Sequence, residues 1–245
     1  METNETENKV LESQETEKVQ EVQESAAPEK QEEAGEGIFQ DVIDILETML
    51  VSVFVVLLLF TYVMRPVTVE GTSMVPTLQD SDRLLMYRML YTPKNGDIVV
   101  VNNRQGHVLN GDQVVPSGYS LNECIIKRVI AVGGQTIDID KEAQTVTLDG
   151  VVLDEPYINE TVRTNDGAFR YPLTIPEGYV FVMGDNRNHS TDSRNEHVGL
   201  VPVEDVLGTT FFRYVSVETV ETVDEKTGEI TTKDKLTFDR IGFIG

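Results

Sequence analysis

One apolar run, MLVSVFVVLLLFTYV at residues 49–63, constrains this chain more than any other feature. With the apolar residues just upstream it forms a segment from Val42 to Met64, and about 20 residues suffice to cross the hydrocarbon core of a bilayer as an α-helix. Asp44 and Glu47 fall in its first turns, where a helix N-terminus tolerates acidic side chains. The sequence therefore predicts a transmembrane helix at residues 42–64.

Two other interpretations of this run remain open. A cleaved signal peptide is disfavoured because the leader before the run is acidic and long, and because YVMRPV lacks a small-x-small cleavage site. A buried core helix fits the length and composition less well. Charge counts around the run, with Lys30 before it and Arg65 after it, lean weakly toward a cytoplasmic C-terminus. That rule is weak for long domains, so charge alone leaves the orientation open.

Residues 1–41 predict a disordered acidic tail. They hold thirteen acidic residues against three lysines, for a net charge of −10, and show no sustained apolar period. The whole chain of 245 residues carries a formal charge of −22, so it lacks the basic side chains needed to neutralise phosphates, and no nucleic-acid partner is expected. One cysteine and three histidines give no metal-ligand spacing, and no metal or other cofactor is expected.

Short runs of β-branched residues dominate residues 65–245. Examples are GDIVVVN, CIIKRVIAV, QTIDID and GYVFVMGDN, each bounded by turn residues. In LDGVVL, Asp149 and Gly150 carry the signature of a tight hairpin turn. Strands do not alternate with long amphipathic helices, which disfavours a parallel α/β sheet. The predicted fold class is all-β, with antiparallel sheets in a barrel-like or sandwich-like arrangement.

The stretch VEGTSMVPTL at residues 69–78 places a serine, Ser73, in a flexible segment shortly after the apolar run. A serine hydroxyl is a poor nucleophile until a base takes its proton. Each of the three histidines lies in a polar loop with no orienting carboxylate evident in the sequence, although a fold could supply one. A solvated or hydrogen-bonded surface role is the simpler interpretation of all three.

Lys127 is a different candidate base because it lies among apolar residues in NECIIKRVIAVGG. Burial would lower its pKa from about 10.4 and leave a neutral amine that can act as a general base. Alternation along a strand directs Lys127 and Arg128 to opposite faces, so one is expected in a site and the other in water. An exposed, structural Lys127 stays equally open on these grounds.

Four motifs in this order resemble the conserved boxes of bacterial type I signal peptidases. They are GTSMVPTL, GDIVVV, IIKRVIAVGGQTI and VMGDNRNHSTDSR, and the similarity extends from the apolar run to the closing FDRIGFIG. The resemblance implies a membrane-anchored serine endopeptidase in which Ser73 is the nucleophile and Lys127 the general base. Ser190 would hydrogen-bond and orient the lysine amine. The residues that would support the site by ion pairing, or would flank the base, are Asp185, Asp192, Arg194 and Arg128.

The resemblance also carries one departure. Some members of that family have a serine, two positions before the nucleophile, that helps to bind the oxyanion, and Gly71 occupies this position here. The oxyanion region would then rest on Gly71 and Ser73, with the Ser73 backbone N–H as its donor.

The family further implies a catalytic domain at residues 65–245 on the outer side of the cytoplasmic membrane, with residues 1–41 on the cytoplasmic side. Its partners would be the lipid bilayer and preproteins whose signal peptides have small residues one and three positions before the cut. Three alternatives remain: a membrane-anchored β-domain that binds or scaffolds exported proteins without catalysis, a self-cleaving repressor-like peptidase, and a family member with a narrow substrate set.

Overall fold

The computed structural model describes residues 33–164, 167–223 and 230–244. The chain divides into two compact units, residues 1–57 and residues 58–245. Residues 1–32, which include most of the predicted disordered tail, lie outside the described residues.

Helix α1 runs from Glu33 to Tyr62. It therefore begins earlier than the predicted start at Val42, inside the segment assigned to the tail. Residues 33–41 combine good helix formers (Glu, Ala and Gln) with two glycines of low helix propensity, so propensity alone does not predict where this helix begins. Its segment Phe39–Tyr62 has a mean hydropathy of 2.5 and no burial, and among the described residues it is the one helix long and apolar enough to cross a membrane.

Among the described residues that follow α1, the regular secondary structure consists of one short 3-10 helix, Val203–Asp205, and of strands. Their bounds are β1 Met64–Thr68, β2 Arg83–Tyr87, β3 Ile98–Asn103, β4 His107–Asn110, β5 Gln113–Pro116, β6 Glu123–Val132, β7 Thr136–Asp140, β8 Thr145–Leu148, β9 Val151–Val152, β10 Leu173–Thr174, β11 Tyr179–Met183, β12 Val201–Pro202, β13 Val206–Val223, β14 Ile230–Thr237 and β15 Gly242–Phe243.

These strands form one large sheet, one small sheet and a separate hairpin. The large sheet has the order β1-β2-β13-β3-β6-β11-β12, with β14 and β15 also paired to β13. The small sheet has the order β10-β7-β8-β9, and β4 pairs with β5. Every pairing between these strands is antiparallel, which confirms the predicted all-β, antiparallel fold class.

The predicted Asp-Gly hairpin turn is confirmed. Asp149 and Gly150 both have positive φ, 52° and 81°, and Leu148 pairs with Val151 across the turn. Two consecutive residues in this conformation match the right-handed twist of the flanking strands.

The centre of the large sheet is covered on both faces. Along β11, Val180 and Val182 pack into one apolar cluster with β3 and β6, while Phe181 and Met183 pack into another with the small sheet. Burial on both faces explains the nearly continuous apolar sequence of these strands. It also makes β6 and the end of β11 a rigid support for side chains that project from them.

Candidate active site

A cleft of about 530 Å³ opens beside β6. One wall is formed by residues 67–74, which lead from β1 into the following loop, and the facing wall by residues 123–127 of β6. Val100, Leu121, His189 and Thr191 complete the lining. The cleft therefore joins the two sequence segments that carry Ser73 and Lys127.

The loop that carries Ser73 is anchored by apolar side chains. Met74 and Leu78 are buried in a cluster with Val69 and Leu84, and the Leu78 N–H donates to the Met74 carbonyl at 2.9 Å. Burial of two large side chains offsets part of the entropic cost of ordering this loop. Ser73, between Met74 and the exposed Thr72, is thereby fixed at the wall of the cleft.

Lys127 projects from β6 toward Ser73. Its Nζ lies 2.9 Å from Ser73 Oγ and 3.0 Å from the Ile126 carbonyl oxygen, and the side chain is buried, with an exposed fraction of 4%. Burial lowers the pKa of Lys127 to about 8, and the carboxylates of Asp192, Glu123 and Asp185 partly oppose this shift. An amine that loses its proton near pH 8, within hydrogen-bonding distance of a hydroxyl, is suited to accept the hydroxyl proton.

The prediction that one of Lys127 and Arg128 stays in water is wrong, because Arg128 is also buried, with an exposed fraction of 2%. Arg128 pairs with Ile98 on one side and Met183 on the other. Its guanidinium donates to both carboxylate oxygens of Asp185, from Nε at 2.8 Å and from Nη2 at 2.7 Å. The strand pattern predicted that Arg128 is solvated, but the buried Asp185 carboxylate satisfies its guanidinium through a bidentate contact instead.

A second buried ion pair joins Asp192 and Arg194. The guanidinium donates to both carboxylate oxygens at 2.8 and 2.7 Å, and the Gly184 N–H donates to the same carboxylate at 3.0 Å. Burial by itself raises the pKa of Asp192, but Arg194 and the Gly184 N–H outweigh it and hold this pKa below its ordinary value. These contacts fix the loop that follows β11 against the end of that strand.

Ser190 lies in the same loop, close to Gly184. Its Oγ is buried and makes no hydrogen bond of standard geometry within the described part of the chain, although its hydroxyl faces Asp192 and helps to keep the pKa of that carboxyl low. The contacts of the Lys127 amine described above do not include Ser190. The orienting role of Ser190 stays a prediction.

Within the described residues, no hydrogen bond joins any of the three histidines to the Ser73 hydroxyl. His107 contacts the ring of Tyr179, and His197 contacts Tyr119. His189 lines the cleft but is exposed, with its Nε2 4.0 Å from a carboxylate oxygen of Glu160. Lys127 is therefore the basic side chain that lies within hydrogen-bonding distance of Ser73 Oγ.

Gly71 adopts a backbone conformation that favours glycine. Its φ is +84°, no atom lies within 4 Å of the position that a Cβ would occupy, and its N–H donates to Asp80 Oδ1 at 2.6 Å. That N–H is thus engaged inside the loop. Gly71 contributes the turn that leads into Ser73, and the Ser73 N–H stays the predicted oxyanion donor.

Gly184 is needed for close packing between the two loops. A Cβ at this position would clash with Ser190 Oγ and would lie 2.5 Å from the Ser73 carbonyl oxygen. We expect Gly184→Ala to lower the free energy of unfolding by about 1–3 kcal/mol through overpacking, and to displace the Ser73 loop. Gly71→Ala is the matched control, since its Cβ meets open space and only the positive φ opposes it, at about 1 kcal/mol. Chemical denaturation measures both; an equal, small loss for the two variants contradicts the packing argument.

The structure also brings in residues to which the sequence analysis gave no role. Thr77 Oγ1 donates to Asp185 Oδ2 at 2.5 Å, and the Asn186 N–H donates to the Ser73 carbonyl at 3.0 Å. Thr77 lies in the GTSMVPTL motif and Asn186 in the VMGDNRNHSTDSR motif, so membership in these motifs was the sequence signal that could have indicated a role for them. Their contacts connect the two motifs directly.

Comparison with known proteins identifies the family of this chain. The family model described as "Signal peptidase, peptidase S26" matches residues 42–215. "Probable signal peptidase I-1" of Synechocystis sp. is 38% identical over 68% of this chain and 79% of that protein, and "Signal peptidase I" of Bacillus licheniformis is 32% identical over 73% of this chain and 91% of that protein. A solved signal peptidase I from Enterococcus faecalis V583 is 26% identical and covers 49% of this chain and 97% of that one, with a TM-score of 0.35. The match to most of the chain, together with the identities to these relatives, shows that this protein belongs to the peptidase S26 family of signal peptidases.

Proposed function

We propose that this chain is a membrane-anchored signal peptidase that cleaves signal peptides from exported preproteins with Ser73 as nucleophile and Lys127 as general base. Membership in the signal peptidase family supports signal-peptide removal. The observation that carries the assignment of residues is the 2.9 Å separation between Lys127 Nζ and Ser73 Oγ at a buried amine.

In the proposed reaction, neutral Lys127 takes the Ser73 proton as Oγ attacks the carbonyl carbon of the scissile peptide bond. The resulting oxyanion would accept a hydrogen bond from the Ser73 N–H. Lys127, now protonated, gives its proton to the leaving amine. It then removes a proton from a water molecule that attacks the acyl-enzyme carbonyl carbon, and it returns this proton to Ser73 Oγ as the ester bond breaks, which restores the Ser73 hydroxyl and the neutral amine.

The sheet offers an open edge for an extended substrate. Residues 123–127 of β6 pair with β3 on one side, whereas on the other side the pairing with β11 covers Arg128–Val132. The open half of β6 faces the cleft, and β1 lies at the edge of the large sheet on the other wall. A substrate segment can therefore add as a strand, and alternation would place its residues one and three positions before the cut on the same face.

Residues that support the dyad follow from their contacts. Arg128 would hold Asp185 against β6, and the pair of Asp192 and Arg194 would fix the conformation of the loop that follows β11, both through buried bidentate contacts. Ser190 would orient the lysine amine, as the family resemblance implies. Helix α1 would anchor the protein in the bilayer, with residues 65–245 outside the cytoplasmic membrane and residues 1–41 in the cytoplasm.

The direct test is cleavage of a purified preprotein by the full chain in detergent micelles, with the new N-terminus identified by mass spectrometry. Cleavage at one site after a small residue is the expected result. A preprotein that stays intact, or is bound without being cut, contradicts the proposal and favours a non-catalytic β-domain.

The rate should depend on pH through Lys127. Because the amine must be unprotonated, kcat/KM should rise about ten-fold per pH unit below the Lys127 pKa of about 8 and level off above it. Glu123 raises the Lys127 pKa, so Glu123→Gln should move this limb to lower pH. Initial rates from pH 6 to 10 provide the measurement. A flat profile argues against Lys127 as the base.

A further inference from the structure

A short segment between β9 and β10, residues 155–159, packs behind the candidate active site. Glu155 accepts two hydrogen bonds from the guanidinium of Arg187, at 2.7 Å from Nη1 and 2.6 Å from Nη2. Arg187 is fully buried, and its Nε donates to the Gly184 carbonyl at 3.1 Å. A buried ion pair with charge-assisted hydrogen bonds thus joins the 155–159 segment to the loop that follows β11.

Tyr157 lies at the centre of this contact. The guanidinium carbon of Arg128 lies 3.9 Å from the centroid of its ring, and that of Arg187 lies 6.0 Å away. A guanidinium at these distances is attracted to an aromatic face, more strongly where water is excluded. The Tyr157 hydroxyl donates to Glu155 at 3.1 Å, and burial raises the pKa of Tyr157 to about 12, so the phenol stays a neutral donor.

Contacts continue from this segment to the nucleophile. The Asn159 N–H donates to the Asp185 carbonyl at 3.1 Å, and the Asn186 N–H donates to the Ser73 carbonyl at 3.0 Å. Thr77, on the Ser73 loop, donates to the Asp185 carboxylate. Residues 184–187 therefore lie between the 155–159 segment and the Ser73 loop, with hydrogen bonds to both.

We propose that Tyr157 is a positioning residue for Ser73. Its ring fixes the Arg128 guanidinium, Arg128 fixes Asp185, and residues 185–186 hold the Ser73 loop through Thr77 and the Ser73 carbonyl. The inference rests on the proposed function, because its consequence is the rate at which Ser73 reacts. Tyr157, Arg128 and Asp185 do not line the cleft, so the segment is expected to act on the geometry of the nucleophile and to leave substrate binding to the cleft.

Tyr157→Leu tests this inference, with Tyr157→Phe as the conservative variant. Leucine removes the aromatic face, and we expect kcat for preprotein cleavage to fall about ten-fold, equivalent to about 1.4 kcal/mol, with KM within about two-fold of the parent. Phenylalanine keeps the face and should keep kcat within about three-fold of the parent, since it loses one hydrogen bond to Glu155. Tyr179→Leu removes a partly buried ring that contacts His107 and does not line the cleft, and it should leave kcat unchanged.

A second readout separates this inference from the proposed function. Ser73 acylation by a small serine-reactive probe reports the nucleophile geometry without a signal peptide, and Tyr157→Leu should slow it to the same extent as kcat. If the parent labels at Ser73 but cleaves no preprotein, the proposed function fails and labelling still decides the role of Tyr157. If Tyr157→Leu labels and cleaves at the parent rate, changes only KM, or is matched by Tyr157→Phe, the positioning role is wrong.

If Tyr157→Leu fails to fold, Glu155→Gln tests the positioning role instead. The neutral amide weakens the hydrogen bonds with Arg187 and keeps the shape of the side chain. We then expect a slower kcat and slower labelling at unchanged KM, and parental values for both would overturn the proposal.

Discussion

Ser73→Ala should abolish preprotein cleavage, with a loss of about 10⁴-fold or more, while the domain stays folded. The variant removes the atom that would form the acyl-enzyme, and what remains is the small rate enhancement from binding and the oxyanion region. Ser73 is partly exposed at the wall of the cleft, and its loop is anchored by the neighbouring Met74 and Leu78, so little stability depends on the hydroxyl. Cleavage rate and thermal denaturation of the same sample provide the measurement.

Ser81→Ala is the matched control for this variant. Ser81 lies in the same loop, its hydroxyl donates to the neighbouring Asp80 at 3.0 Å, and it does not itself line the cleft. We expect cleavage close to the parent rate. Robust cleavage by Ser73→Ala removes Ser73 from the mechanism, and an equal loss in Ser81→Ala means that the loop, rather than the nucleophile, was disturbed.

Lys127→Met should abolish cleavage to a similar extent and yet stabilise the fold. The buried amine has a folded-state pKa of about 8, against about 10.5 for the free side chain, so at pH 7 folding disfavours its charged form by about 3 kcal/mol. Loss of its hydrogen bonds offsets about 1 kcal/mol of this amount. Methionine fills a similar volume without a charge, and we expect the free energy of unfolding at pH 7 to rise by about 2 kcal/mol.

The buried Lys127 amine also predicts the direction in which the free energy of unfolding changes with pH. Between about pH 8 and 10.5 the unfolded chain binds more protons at Lys127 than the folded chain, so the parent should gain stability as pH rises through this window. Lys127→Met should lose that contribution. Denaturant titrations of both proteins at pH 7 and pH 10 measure it. If Lys127→Met is less stable than the parent, or if its free energy of unfolding has the same pH dependence, then burial of the Lys127 amine does not destabilise the folded protein.

Lys127→Arg distinguishes a base from a positive charge. Arginine stays protonated at all relevant pH values, so it should not restore cleavage. Lys141→Arg, at an exposed turn between β7 and β8, serves as the control and should cleave as the parent does. Activity in Lys127→Arg contradicts general-base catalysis by a neutral amine.

The strand pattern and the motif resemblance could be predicted from the sequence because both depend on local order along the chain. Runs of β-branched residues bounded by turn residues predicted the strands. Asp149-Gly150 predicted its hairpin turn, because this turn requires positive φ at both central residues and few residue types other than Gly, Asn and Asp adopt it readily. The apolar run at residues 49–63 specified a long helix by composition alone. The start of that helix was less predictable, since residues 33–41 have helix-forming side chains but no apolar period.

Tertiary structure alone decided the environment of each charged side chain. Alternation along β6 placed Lys127 and Arg128 on opposite faces, but it could not say that the two faces are both covered, and so Arg128 was wrongly expected in water. Nor could the sequence by itself choose between an exposed and a buried Lys127. Desolvation depends on atoms from β3, from the Ser73 loop and from the loop after β11, which are distant along the chain.

The contacts of residues 155–159 show the same limit. The stretch EPYIN has no periodicity or motif spacing that would indicate a role, yet Tyr157 lies against Arg128 and Glu155 pairs with Arg187. The amino-acid sequence determined which elements form and which family the chain belongs to, because strand propensity, turn chemistry and motif order are properties of neighbouring residues. Folding decided which amine loses its water and which carboxylates pair with buried guanidinium groups, because burial and ion pairing arise only when distant segments meet.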